Sequence, residues 1–308
     1  MKYKIILVTG GAGFLGRHLI ADLLEAGFVV RCFDRVKPEW ITKDIDFIEG
    51  DFTASHILAP AVKGADVVIH LVSTTLPKSS NEDPQFDAIS NLSGTINLLD
   101  IAVKFKVKRL IFISSGGTVY GRPSSIPVAE THSTNPLCSY GIIKLAIEKY
   151  LRLYHCLYGL SSCTLRLSNL YGEYQRIDTG QGAIAVFCDK ALKNETIDIW
   201  GDGAVTRDFL YVKDATEAIM KAIFSEYSGG EINIGTGYGT SLNQLISIIE
   251  SVVKRKILFR YLPHRTFDIQ EIYLDISEAK RQLQWSPSTP LRDGITQVVK
   301  WMQKHHAL

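Results

Sequence analysis

The chain is poor in the features that direct proteins to membranes, oxidising compartments or polyanions. No apolar run approaches the ~18 residues of a membrane span, and the apolar stretch in MKYKIILVTGG is too short for a signal-peptide core. The expected location is the cytoplasm, with no membrane partner. Five cysteines, Cys32, Cys138, Cys156, Cys163 and Cys188, are an odd number and widely scattered, with neither a C-x-x-C nor a histidine at ligand spacing. They are expected to be reduced packing residues, with no disulfide framework, zinc or other metal. Basic residues (34) barely outnumber acidic ones (32), and no segment gathers the positive charge of a nucleic-acid footprint. Nucleic acid is therefore not an expected partner.

What is present is an ordinary globular composition, 46% apolar and 21% charged over 308 residues, enough to bury a substantial core. Short apolar, β-rich runs (KIILVTG, FVVRCFD, DVVIHLV, RLIFISS, SCTLRLSN) alternate with helical periods, including expected helices at about 84 to 104 and 140 to 158. Continuous apolar strands joined by helices indicate a parallel sheet covered on both faces, a doubly wound α/β fold of the Rossmann kind. After about residue 170 the rhythm breaks into glycine-rich turns, short strands and helices near 182 to 193, 213 to 225 and 241 to 253. The expected division is residues 1–170, a dinucleotide-binding domain that takes back elements from the second half, and residues 171–308, a smaller mixed substrate lobe.

VTGGAGFLG places Gly10, Gly13 and Gly16 at the turn from the first strand into the first helix, with Phe14 and Leu15 in the same turn. Glycine there permits a tight turn, close approach of backbone to a pyrophosphate, and close helix packing, while the helix N-terminus presents free N–H groups. The second strand ends at Asp34, close to the spacing expected for an acid that bonds a ribose 2′-hydroxyl. Asp34 favours NAD over NADP, although Arg35 beside it suits a 2′-phosphate. Asp51, next to Phe52, is placed either to reach the adenine amino group or to cap a helix. Leu71, Val72 and Ser73 end strand four at the mouth where open α/β sheets bind ligands.

LCSYGIIKLAIEKY sets Tyr140 and Lys144 one helical turn apart, on one face. A chain this long contains such a spacing by chance, so the context decides. A free tyrosine has pKa ~10, and holding it as phenolate near neutrality costs roughly 4 kcal/mol. A neighbouring ammonium and a cationic nicotinamide are the charges that supply it. With a dinucleotide at the first turn and a strand ending at Ser114 and Ser115, the pair is expected to be catalytic.

These residues resemble the extended short-chain dehydrogenase/reductases, specifically the NAD-dependent nucleotide-sugar epimerase/dehydratases, and among them the 4-epimerases acting on UDP-glucose or UDP-N-acetylglucosamine. The matching motifs are the glycine turn, SSGGTVYG (114 to 121), Tyr140-x-x-x-Lys144, Asn91 in NLSGT, Asn169 in LRLSNLYG, Arg207 in TRDFLYV and NIGTG (233 to 237). The resemblance implies bound NAD, with Asn91 and Ser114 on the cofactor side. It also implies transient oxidation of the sugar at C4, with Tyr140 as base. One position departs: the hydroxyl of the family's Ser/Thr-Tyr-Lys triad falls on Gly116. Thr118 is the favoured replacement and Ser115 the next. The acidic residues that dehydratases of this family carry fall on Gly117 and Thr118, which disfavours dehydration. Asn169, Arg207, Arg265 and Asp268 are implied for the sugar nucleotide, although either arginine suits a surface ion pair and Asn169 a simple turn. A NAD(P)H-dependent 4-keto-sugar reductase and a non-catalytic NAD sensor remain open alternatives. The broad apolar arc of the 140 to 158 helix predicts a homodimer.

Overall fold

The computed structural model describes residues 3–178, 182–264 and 269–305. The first half runs β1 (Ile5–Thr9), α1 (Phe14–Glu25), β2 (Val29–Asp34), β3 (Ile45–Glu49), α2 (Ser55–Val62), β4 (Val67–His70), α3 (Ser79–Glu82), α4 (Pro84–Asp87), α5 (Gly94–Lys104), β5 (Arg109–Ser115), α6 (Ser139–Tyr158) and β6 (Ser162–Leu167). The second half adds β7 (Asn169–Tyr171), α7 (Ala183–Lys193), β8 (Ile197–Trp200), β9 (Thr206–Arg207), β10 (Phe209–Tyr211), α8 (Val212–Phe224) and β11 (Gly230–Ile234). It closes with β12 (Thr240–Ser241), α9 (Leu242–Val253), β13 (Phe259–Leu262), β14 (Glu271–Ile272), α10 (Ser277–Leu283) and α11 (Leu291–His305).

Seven parallel strands form the main sheet in the order β11-β6-β5-β4-β1-β2-β3. β1, IILVT, is buried along nearly its whole length, as a strand covered on both faces must be. One face packs on α1, α8 and α10 around the fully buried Trp285, and the other on α2, α5 and α6. A separate apolar cluster joins α7, α9 and α11 to β8 and β10. The chain reverses between β1 and β4, where Thr9 lies opposite His70, and this switch point opens the crevice at the strands' carboxyl ends.

Local chemistry sets the ends of several elements. Gly159 takes φ +67° and stops α6. Ser241 and Gln244 form a reciprocal capping box at the start of α9. The stretch expected as one helix from 84 to 104 is instead α4, a π-helical turn (Ala88–Ser93) and α5. Side-chain hydroxyls bond back to the preceding turn there, Ser90 to the Phe86 carbonyl (2.7 Å) and Thr95 to that of Asn91 (2.6 Å), and such bonds accompany distorted helices. Arg109, at the start of β5, is buried, and its guanidinium donates to Ala222 O, Ser161 Oγ and Tyr227 O. All five cysteines are free thiols. Among the described residues no helix is long and apolar enough to cross a membrane, and no cluster has metal-ligand geometry.

Candidate active site

The crevice holds a cavity of about 740 Å³, within the usual size range for ligand pockets. Gly10, Gly13, Phe14, Asp34, Arg35, Asp51, Phe52, Leu71, Val72 and Ser73 all line it. Gly10 has φ +74°, and a Cβ there would lie 2.8 Å from the Val72 nitrogen. Gly16 serves packing, since a Cβ would meet the Gly11 carbonyl oxygen at 2.4 Å and push α1 off its strand. Leu15 is likewise on the packing side, half-buried against the two apolar cores that flank α1. Asp34 accepts from the Ala12 and Arg35 backbone N–H groups (2.9 and 2.7 Å), so its carboxylate is fixed at the cavity wall. Asp51 does not cap α2, which begins after Ala54. It accepts from the Thr53 N–H and hydroxyl, bonds that hold it below the usual carboxylate range.

Two residues expected on the cofactor are directed elsewhere. Asn91 is buried; its Oδ1 accepts from Thr74 N (2.9 Å) and its Nδ2 donates to Asp87 (2.8 Å), so it fixes the loop after β4. Ser114 donates to Glu148 (2.6 Å) within the sheet's interior. Glu148 pairs there with Arg166, both buried, and Arg166 donates to the Tyr120 hydroxyl, which donates to Asn233. The π-turn displaces Asn91 from simple helical phase, and the Glu148 partner lies 34 residues away. Neither is readable from a strand or helix pattern.

Tyr140 and Lys144 do share one face of α6, with the ammonium 5.5 Å from the phenol ring centroid. Lys144 is buried, donates to the Ile113 carbonyl (2.9 Å) and sits 4.8 Å from the Phe112 ring. Burial lowers its pKa to about 8, opposed by the charges of Asp87 and Glu148. In the protein alone Tyr140 is not depressed. Burial pushes it up to about 12, reinforced by Cys138 and opposed by a hydrogen bond with the Ser73 side chain. Spacing along the helix brings the ammonium near the phenol, but in the protein alone desolvation of the phenolate sets the direction of the shift.

Beneath the cavity, Phe52, His70 and Phe112 stack in a column that ends on Lys144. Thr95 gives its proton to Asn91 O, so its oxygen accepts from His70 Nε2–H, and Nδ1 accepts from Thr9. Burial holds the His70 pKa near 3, so the imidazole is neutral, and these roles are the ones that satisfy both ring nitrogens.

At the glycine that stands for the triad hydroxyl, Leu274 has taken the space: a Cβ on Gly116 would lie 2.6 Å from its side chain. Thr118 is placed against the head of α6, since a Cβ on Gly141 would sit 3.0 Å from its carbonyl oxygen. Its Oγ1 is buried with no hydrogen-bond partner among the described residues. Ser115 uses its carbonyl to accept from Thr118 N and Val119 N, closing the turn. Asn169 adjoins this turn, its Oδ1 3.3 Å from where a Gly117 Cβ would be. Arg207 lies on β9 and donates to Thr206 O (2.9 Å). Arg265 and Asp268 lie outside the described residues. Sequence reading missed the mouth of the cavity, where Arg17 lies 3.5 Å over the Tyr174 ring and 5.4 Å from that of Trp40. The one available signal was the position of Arg17 directly after Gly16.

The family model described as the NAD dependent epimerase/dehydratase family matches residues 6–235. The chain belongs to that family. The epimerase/dehydratase match accords with a cavity whose glycine turn, fixed Asp34 and aromatic floor fit a dinucleotide, and NAD is its cofactor. The chain is 39% identical to a putative UDP-glucose 4-epimerase of Methanocaldococcus jannaschii, over 98% of this chain and 99% of that protein. It is 33% identical to a dTDP-4-dehydro-6-deoxyglucose reductase of Escherichia coli, over 96% of each. Among solved structures it resembles the UDP-glucose 4-epimerase of Thermotoga maritima crystallised with UDP-glucose (TM-score 0.94, 33% identity, 97% of this chain and 99% of that one).

Proposed function

We propose that the protein inverts the C4 hydroxyl of a UDP-hexose, either UDP-glucose and UDP-galactose or their N-acetyl forms, acting in the cytoplasm as a homodimer. The observation that carries this reading is the Tyr140–Lys144 pair, with the phenol bonded to the cavity-lining Ser73 side chain and the Thr118 hydroxyl, unpartnered among the described residues, on the turn packed against the head of the same helix. Bound NAD would supply a reversible hydride acceptor for the sugar carbon, and turnover would then need no external redox partner. Tyr140 Oη takes the 4-hydroxyl proton and gives it back. The positive charges of Lys144 and of oxidised NAD lower the cost of the phenolate that burial otherwise raises. Thr118 Oγ1 fills the triad position left by Gly116 and orients the reacting oxygen, with Ser115 as reserve. Asn169, Arg207 and Arg265 are assigned to the diphosphate, the arginines for their forked, permanently charged donors, and Asp268 to the ribose of the sugar nucleotide.

The dimer rests on apolar side chains left in solvent around α6. Ile142, Leu153, Leu157 and Tyr158 are exposed there, as are Phe86 and Ile89 from the segment leading to α5.

Incubating the purified protein with UDP-glucose, UDP-galactose and their N-acetyl forms, without added cofactor, tests the reading. Interconversion is expected, together with release of NAD on denaturation. Tyr140→Phe should slow inversion roughly 10²–10⁴-fold while NAD stays bound. The reductase reading is favoured only by the likeness to the E. coli enzyme. It predicts instead net consumption of NAD(P)H on a 4-keto sugar nucleotide. Bound NAD with no turnover of any sugar nucleotide would leave a sensor.

A further inference from the structure

Asp87 closes the last turn of α4 and is 1% exposed. Its Oδ1 accepts from the Thr75 hydroxyl (2.6 Å) and from Asn91 Nδ2 (2.8 Å), and its Oδ2 from the Ser139 hydroxyl (2.6 Å). Ser139 is the first residue of α6 and immediately precedes Tyr140. The same helix end is held twice more by this segment: Asn81 Oδ1 accepts from Ser139 N (2.9 Å), and Ser80 Oγ accepts from Tyr140 N (3.0 Å). The loop after β4 is tied in through Thr75 and through Asn91, which accepts from Thr74 N. One carboxylate therefore joins the segment that lines the cavity to the helix turn that presents the phenol.

Its charge is the second part of the argument. The titratable or charged groups facing the Tyr140–Lys144 pair are Asp87 from α4, Cys138 ahead of α6, Glu148 one turn beyond Lys144, and His70 at the end of β4. Glu148 is already balanced by Arg166, and His70 is neutral. The three donors to Asp87 described above are uncharged, and its charge acts on Lys144 at longer range than a direct ion pair. A buried anion bonded to neutral donors beside a buried lysine is a counter-ion arrangement.

We propose that Asp87 is a positioning residue for the Tyr140–Lys144 pair, fastening the head of α6 to the loop after β4 and acting as the counter-ion that keeps Lys144 an ammonium ion. The proposal rests on the epimerase reading for its consequence, but the ionic part is testable without substrate. In protein loaded with NADH, whose nicotinamide is uncharged, NMR of ε-¹³C-lysine reads the Lys144 titration, assigned by loss of the signal in Lys144→Arg. Asp87→Asn should move its midpoint to lower pH by at least about one unit, the size of effect an adjacent opposite charge exerts. The alkaline limb of the kcat profile for UDP-hexose inversion should move with it. Ser139→Ala keeps the charge and cuts one tether, so it should lower kcat with the limb in place.

An unmoved Lys144 midpoint in Asp87→Asn overturns the proposal. So does a wild-type midpoint near 5–6, the range of buried lysines without a counter-ion, and that measurement does not depend on the folding of Asp87→Asn. A shifted midpoint in a protein that turns over no sugar nucleotide upholds the counter-ion and removes the epimerase reading instead.

Discussion

Gly116 shows how one residue can be read correctly as an absence and still not be explained. Its missing hydroxyl is visible in the sequence; Leu274, which comes from the other end of the chain and fills the space, is not. Restoring the familiar residue by Gly116→Ser should therefore cost stability, about 1–3 kcal/mol for an overpacked site, rather than improve turnover. Leu274→Ala in the same chain should recover part of that loss, and urea midpoints of the single and double variants check both statements. Glycine turns and Tyr140-x-x-x-Lys144 are legible because they depend on backbone freedom and on spacing along one helix. Ser114, Asn91 and Arg109 are not, because their partners are set by packing between segments far apart in sequence. Arg109 donates to Ala222, 113 residues away. The upward pull of burial on Tyr140 is hidden for a related reason: spacing reports which charge is near, and not how much water has been removed.

At the scale of elements, two buried polar assemblies brace the strand ends under the cavity. In the first, Glu148 on α6 and Arg166 on β6 are both essentially inaccessible. Glu148→Gln leaves the guanidinium buried without its counter-charge, and a loss of about 3–5 kcal/mol is expected in denaturant unfolding. The second is the Phe52–His70–Phe112 column between β4 and β5. His70 has a folded pKa of about 3, depressed by burial and then by the Lys144 charge, against an ordinary 6.5. The unfolded chain therefore binds the extra proton first. Stability contributed by His70 is complete above about pH 6.5 and drains away as pH falls toward 3, by about 1.4 kcal/mol per unit. His70→Asn should flatten the dependence between pH 7 and 5 when urea midpoints are compared. Alternation of strands and helices was enough to place β4, β5 and α6. The broken helix before α5 was hidden, since its sequence keeps helical periodicity while serine and threonine side chains bend the backbone.

For the whole molecule, the apolar surface left around α6 is the feature to test. Leu157 is 62% exposed, and Leu157→Glu should convert a dimer to monomers in sedimentation velocity while the far-ultraviolet spectrum stays unchanged. A wild-type chain that already sediments as a monomer would remove the dimer from the proposal. The parallel sheet and its two covered faces were legible from apolar runs alone. The order of its last strands was not, because EINIG carries no mark of which edge it joins. That strand, β11, lies against β6 with Gly230 opposite Cys163 and Ile234 opposite Leu167. A ribosome that has delivered only the first two hundred residues has thus made six neighbouring strands with one open flank, and the seventh is still to be translated. Completion of this fold is tied to late synthesis, and until then the β6 edge is an unpaired template for other strands.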